Sequence, residues 1–141
     1  MPHNAIEKFS KAQRPVWPEA GTVVSIPIAL FYRHKGIVSD RWYGGKPMII
    51  SNSARSGGVH EEFWDVFAEG GAVTVDGYPG GLPNFEVLSR AKSLVSSQYD
   101  LLRWNCEHFV AYAHGLKPMS PQVAVTVAIA TLCIGVLAAA R

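Results

Sequence analysis

Residues 123–140, "VAVTVAIATLCIGVLAAA", carry no charged side chain and no proline, and their only polar side chains are Thr126 and Thr131. As a helix this tract spans roughly 27 Å at about 1.5 Å per residue, against about 30 Å for the hydrocarbon core of a bilayer. It is apolar on every side and offers water no face. The alternative is a buried C-terminal helix, but a remainder of roughly 120 residues could hardly enclose one all round. The tract ends one residue before the end of the chain, as a tail anchor does. It therefore reads as a single-pass C-terminal transmembrane anchor, with Cys133 an apolar filler inside it.

The rest of the chain must then fold by itself. With 141 residues in all, it is one domain plus an appendage. Hydrophobic residues at 48% and charged residues at 17% support a packed core and argue against disorder. A net charge of +2 with no basic run gives no support to a nucleic-acid partner. The two cysteines, Cys106 and Cys133, sit in settings too different for a mutual disulfide. Without a CxxC or zinc-like spacing, no structural metal is expected. The setting reads as reducing, with Cys106 a free thiol. The N-terminus lacks a signal-peptide core. The expected organisation is an N-terminal extension at 1–20, loosely ordered around Pro2, Pro15 and Pro18, a domain at 21–120, and the anchor at 123–140. "LKPMSPQ" reads as a linker.

Residues 21–38 are rich in β-branched and aromatic side chains and read as two strands, Pro27 making the first an edge or a bend. "SDRWYGGK" reads as a turn, with Gly44 and Gly45 supplying positive φ. "PMIIS" is a strand and "NSARSGG" a loop. "VHEEFWDVFAEGG" reads as a short strand, then a helical turn with Phe63, Trp64 and Phe67 on one side. Residues 73–75 form another strand. Apolar residues from Phe85 to Val95 recur at helical spacing and predict a helix over 85–98. "YDLL" reads as extended, and a last helix runs from Cys106 to a C-cap at Gly115.

That helix opens within "RWNCEHFV". A thiol attacks as thiolate and titrates near about 8.5 when free. Unpaired N–H groups at a helix start favour an anion, so the value is expected to fall there. Asn105 is a good N-cap, which puts Cys106 in the first turn with its amide available to an oxyanion. A nucleophilic thiol needs a base, and His34 is the candidate, mounted on a strand in "FYRHKGIV". His108 follows Cys106 by two residues, about 200° round a helix, and reads as structural. His60 and His114 read as solvated, and His3 falls in the N-terminal extension.

"NCEHFV" resembles the cysteine motif of the lecithin retinol acyltransferase-like family, which includes small tail-anchored phospholipase/acyltransferases. "HKGIV" resembles its histidine strand, and "IISNSARSGGVHEEFW" the strand and loop that follow. The resemblance spans residues 21–123. It implies a circularly permuted papain-like domain related to the NlpC-type peptidases, of α+β class, with a small antiparallel sheet and the cysteine helix packed on it. It also supports the membrane anchor. One position departs. The family carries a second histidine in a phrase like "VIHNS", where this chain has "IISNS", with Ser51 at that place and Asn52 beside it. Neighbours on a strand face opposite ways, so only one of Ser51 and Asn52 can meet His34.

The resulting expectation is a membrane-anchored thiol enzyme in which Cys106 attacks an acyl carbonyl and His34 moves the proton. Ser51 or Asn52 orients His34. An acyl-thioester passes to water, an amine or a hydroxyl. The resemblance implies a phospholipid substrate, no metal or organic cofactor, and a catalytic domain facing the cytoplasm. A cysteine peptidase or amidase with the same dyad, and an inactive membrane-tethered binding module, stay open as alternatives.

Overall fold

The computed structural model describes residues 15–140. Its strands are β1 (Val23–Ala29), β2 (Tyr32–Tyr43), β3 (Lys46–Ser53), β4 (Gly58–Glu62) and β5 (Thr74–Gly77). The helices are α1 (Trp64–Ala68), α2 (Asn84–Ser93), α3 (Cys106–Ala113) and α4 (Pro121–Ala139). The strands form one antiparallel sheet in the order β4-β3-β2-β1-β5. The domain is α+β, as its sequence predicts.

Side chains alternate across a strand, so each inner strand feeds two cores. Ile37, Ile50 and Val59 meet Val87, Ala91, Phe109 and Val110 on the face covered by α2 and α3. Val24, Val38 and Ile49 meet Phe67 of α1 on the other. Gly36 leaves room on the second face for Ile49 and Phe67. A Cβ there would stand 2.5 Å from Ile49 Cγ2 and 3.0 Å from the Phe67 ring.

Pro27 proves to be both bend and edge. β5 pairs with β1 only over Val23 to Ser25, and the β1–β2 register shifts between Pro27 and Ala29. Among the described residues no strand pairs with that side of β1 beyond Ser25, so the missing N–H costs no ladder bond there. The turn after β2 is shorter than expected. β2 runs on to Tyr43 and only Gly44 and Gly45, at φ 57° and 77°, make the reversal. Trp17, placed by its sequence in a loose extension, packs edge-on against Trp64 at 4.9 Å. Residues 1–14, with His3 and Pro2, lie outside the described residues.

The predicted helix over 85–98 is too long. α2 stops at Ser93, Leu94 caps it, and Ser96 turns left-handed at φ 76°. The chain then crosses to cover the outer edge of β4, with Ser96 N–H donating to Val59 O at 2.9 Å and Val59 N–H to Ser97 O at 3.0 Å. Backbone pairing outbids the apolar periodicity here, because β4 would otherwise present an open edge. "YDLL" is no strand. Asp100 and Trp104 pair across a tight loop, and Asp100 Oδ1 accepts the N–H groups of Leu102 and Arg103, each at 3.0 Å. This loop delivers the chain to α3.

α4 stands clear of both cores. It has 19 residues, with a mean hydropathy of 2.2 over an 18-residue window, and is long and apolar enough to cross a membrane. Among the described residues nothing buries it, as an anchor requires.

Candidate active site

α3 begins as its sequence predicts. Asn105 Oδ1 accepts from the N–H of Glu107 at 2.9 Å and of His108 at 3.2 Å. His108 Nδ1 accepts from Asn105 N–H at 3.3 Å and closes a capping box. His108 is thus structural. The cap presents Cys106 as the first helical residue, 8% exposed, its Sγ 4.0 Å from Arg33 O.

Cys106 and His34 line the same cavity, of about 240 Å³, together with Asn105, Tyr99, Arg55 and Gln122. His34 is tilted against Phe67 with ring centroids 5.4 Å apart. Its Nε2 lies 3.2 Å from Ser51 Oγ, which donates to Glu62 Oε1 at 3.3 Å. The direction of this chain follows from chemistry. An ionised carboxylate only accepts, so the hydroxyl gives it its single proton and accepts in turn from His34 Nε2–H. Nδ1 is left with the free lone pair.

Asn52 points elsewhere. Its Nδ2 donates to Trp104 O at 2.7 Å, tying β3 to the residue before the N-cap, and its Oδ1 is buried with no partner among the described residues. Of the two neighbours it is Ser51 that meets His34.

Glu62, which no sequence motif singled out, is a buried charge on the His34 side of the site. Arg55 Nη2 lies 3.1 Å and His60 Nε2 3.3 Å from its carboxylate. Burial pushes this carboxyl up, but the His60 hydrogen bond and the charges of His60, Arg55 and His34 outweigh it and hold the value low. The signal in the sequence was alternation: His60 and Glu62 share one strand face with each other and, across the pairing of Ser51 with His60, with Ser51. His60 is therefore no solvated histidine. Its hydrogen bond to Glu62 raises its pKa. His114 is 1% exposed, its Nε2 2.9 Å from Gly21 O, and is likewise not solvated.

The thiol departs from expectation. Burial raises the pKa of Cys106, and the nearby Glu107 charge adds to this. The N–H of Lys35, the Lys35 ammonium and the N–H of Cys106 itself oppose it without prevailing. Loss of water outweighs the helix terminus here. Burial also lowers the pKa of His34, against a smaller raising by Glu62. Both shifts favour the uncharged thiol and the uncharged imidazole over an ion pair.

The expected linker is bolted to the domain. Ser120 is buried and donates to Glu107, whose carboxylate also accepts the N–H of Gln122 at 3.2 Å. The Gln122 side chain accepts from Arg33 N–H at 2.7 Å and donates to Arg33 O at 3.2 Å. It grips the strand beside His34. Among the described residues no group of three or more His, Cys, Asp or Glu is arranged to hold a metal ion.

A search of curated proteins gives no match. A family model, lecithin retinol acyltransferase, matches residues 31–116, from the strand that carries His34 through the helix that Cys106 opens. That span is more than half of the 141 residues and holds every side chain described around the thiol except Gln122 and Ser120, so the chain belongs to the lecithin retinol acyltransferase family.

Proposed function

We propose that this protein is a membrane-anchored thiol acyltransferase or phospholipase that works through an acyl-thioester on Cys106. The observation that carries the reading is the shared cavity of Cys106 and His34, with His34 held through Ser51 by a buried carboxylate. Cys106 Sγ attacks an ester carbonyl while its proton passes to His34 Nδ1. The carbonyl oxygen becomes an oxyanion facing the Cys106 N–H at the helix start. Collapse breaks the C–O bond, and the imidazolium returns the proton to the leaving alkoxide. Water, an amine or a hydroxyl then attacks the thioester, with His34 again the base, and the thiol is regenerated.

Because the resting thiol is protonated, proton removal belongs to the attack itself. A neutral His34 suits that task. Ser51 holds its ring, and Glu62 stabilises the imidazolium as it forms. Asn52 acts at one remove, by seating the loop that leads to Asn105. The domain is of the permuted papain-like kind, α4 is a single-pass anchor, and the site faces the cytoplasm, where a free thiol stays reduced.

Intact mass of the full chain after incubation with phospholipid tests this reading. An acyl adduct is expected on Cys106 and none on the Cys106→Ala chain. If an adduct forms from a peptide amide and not from lipid, the peptidase alternative takes its place. If neither substrate gives adduct or turnover, the binding-module alternative stands.

A further inference from the structure

A second concavity, of about 460 Å³, lies between the β1–β2 hairpin and the first turns of α4. Phe31 and Tyr32 form one wall, and Pro121, Gln122, Val125 and Ile129 the other. Tyr32 and Gln122 also line the Cys106 cavity, so the two spaces adjoin at these side chains. The hairpin tip is unusually apolar for a surface turn. Leu30 and Phe31 are 88% and 84% exposed.

The polar side chains that line this groove are already engaged. Gln122 spends its side chain on both backbone groups of Arg33. Thr126 Oγ1 donates to Gln122 O at 3.0 Å and is hydrogen-bonded to the Tyr32 hydroxyl. Pro121 has no N–H to offer. A polar or charged ligand would find no free side-chain partner among the lining residues and would lose its own hydration. A hydrocarbon chain loses nothing of that kind. The opposite wall belongs to a helix that is apolar all round, so the groove opens onto whatever surrounds α4.

We propose that this groove holds one acyl chain of a membrane lipid, with the chain's ester group at Cys106. The proposal rests on the reading of α4 as an anchor and of Cys106 as the nucleophile. The substrate then enters sideways from the bilayer, along the first turns of α4, and passes Tyr32 and Gln122. The rigid attachment of α4 through Gln122 and Ser120 keeps groove and thiol in register. An anchor on a loose linker would not.

The test uses the full chain in phospholipid nanodiscs. Val125→Trp and, as a second variant, Ile129→Trp fill the groove with side chains that a membrane tolerates. The ratio of palmitoyl-ester to butyryl-ester turnover should fall at least about tenfold, the scale of excluding one or two methylenes from an apolar wall. A phospholipid with a diazirine on its acyl chain gives a readout independent of turnover. On the Cys106→Ala chain it should label Phe31 and Tyr32, and Val125→Trp should suppress that labelling while Leu132 and Leu137 remain labelled. An unmoved ratio, or labelling of Phe31 and Tyr32 that Val125→Trp leaves intact, overturns the groove while the thiol mechanism stands. If the wild type turns over no ester, the mechanism fails and the labelling alone decides the groove.

Discussion

Ser51 stands where a histidine was expected, and its hydroxyl is backed by the buried carboxylate of Glu62. A hydroxyl by itself gives His34 one neutral hydrogen bond, worth roughly 0.5–1.5 kcal/mol. Backed by the Glu62 carboxylate, it also fixes which ring nitrogen carries the proton. Ser51→Ala is therefore expected to lower turnover by about 3- to 30-fold, the range that the same bond energy spans with some tautomer disorder added. Glu62→Gln should lower it too, and with a signature of its own. The Glu62 charge raises the His34 pKa and that of Arg55 lowers it. Removing the first must move the acid limb of kcat/KM to lower pH. In the unaltered protein that limb should already lie below 6.5, because burial lowers His34 and the base works only when neutral. A limb at or above 6.5, or one that Glu62→Gln leaves in place, would disprove this electrostatic account. Cys106 offers a separate check. Its alkylation by iodoacetamide should be slow at neutral pH and still rising above 9.0, since burial raises its pKa. Cys106→Ala should abolish turnover, by at least about 100-fold, because nucleophile and base act as a unit.

At the scale of elements, the site depends on how closely neighbouring segments can approach. Gly58 in β4 is the tightest case: a Cβ there would stand 1.9 Å from the carbonyl oxygen of Ser97. The segment so close to it covers the β4 edge and leads through the Asp100 loop to Cys106. Gly58→Ala must push backbone against backbone. We expect a loss of about 1–3 kcal/mol, the usual cost of overpacking, measured by denaturant unfolding. A nearly unchanged midpoint would mean that the segment can retreat freely. The cap of α3 is the second such point. Asn105→Ala leaves the N–H groups of Glu107 and His108 unpaired beside the thiol, and should cost about 0.5–2 kcal/mol. Asn105→Asp, which keeps the acceptor, should restore most of that loss.

For the whole molecule, α4 does two things at once. It is long and apolar enough to cross a membrane, and its first turn lines one side of the cavity. A chain ending at Pro118 should accordingly dissolve without detergent. If it aggregates while the full chain is soluble unaided, the anchor reading fails. The shortened chain also loses Gln122 from Arg33 and Ser120 from Glu107. It should therefore turn over even a dispersed substrate more slowly than the full chain, and Gln122→Ala in the full chain should reproduce part of that deficit. Equal turnover would make α4 a tether and nothing more.

Local patterns were enough for the parts of this protein that local physics determines. The uncharged tract at 123–140, the Asn105 cap before Cys106, the double glycine after β2 and the alternation that puts only Ser51 or Asn52 toward His34 all rest on neighbours within a few residues. Helical or strand periodicity carries such information directly. The end of α2 was misread, because a distant strand edge competed for the backbone of Ser96 and Ser97. The thiol's pKa was misjudged, because desolvation depends on what the whole fold packs around Cys106, and a helix terminus is only one contributor. Glu62, Arg55 and His60 meet Ser51 through the pairing of β3 with β4, and Gln122 reaches Arg33 from 89 residues away. Burial and long-range pairing are properties of the assembled sheet, so only the tertiary structure could decide them.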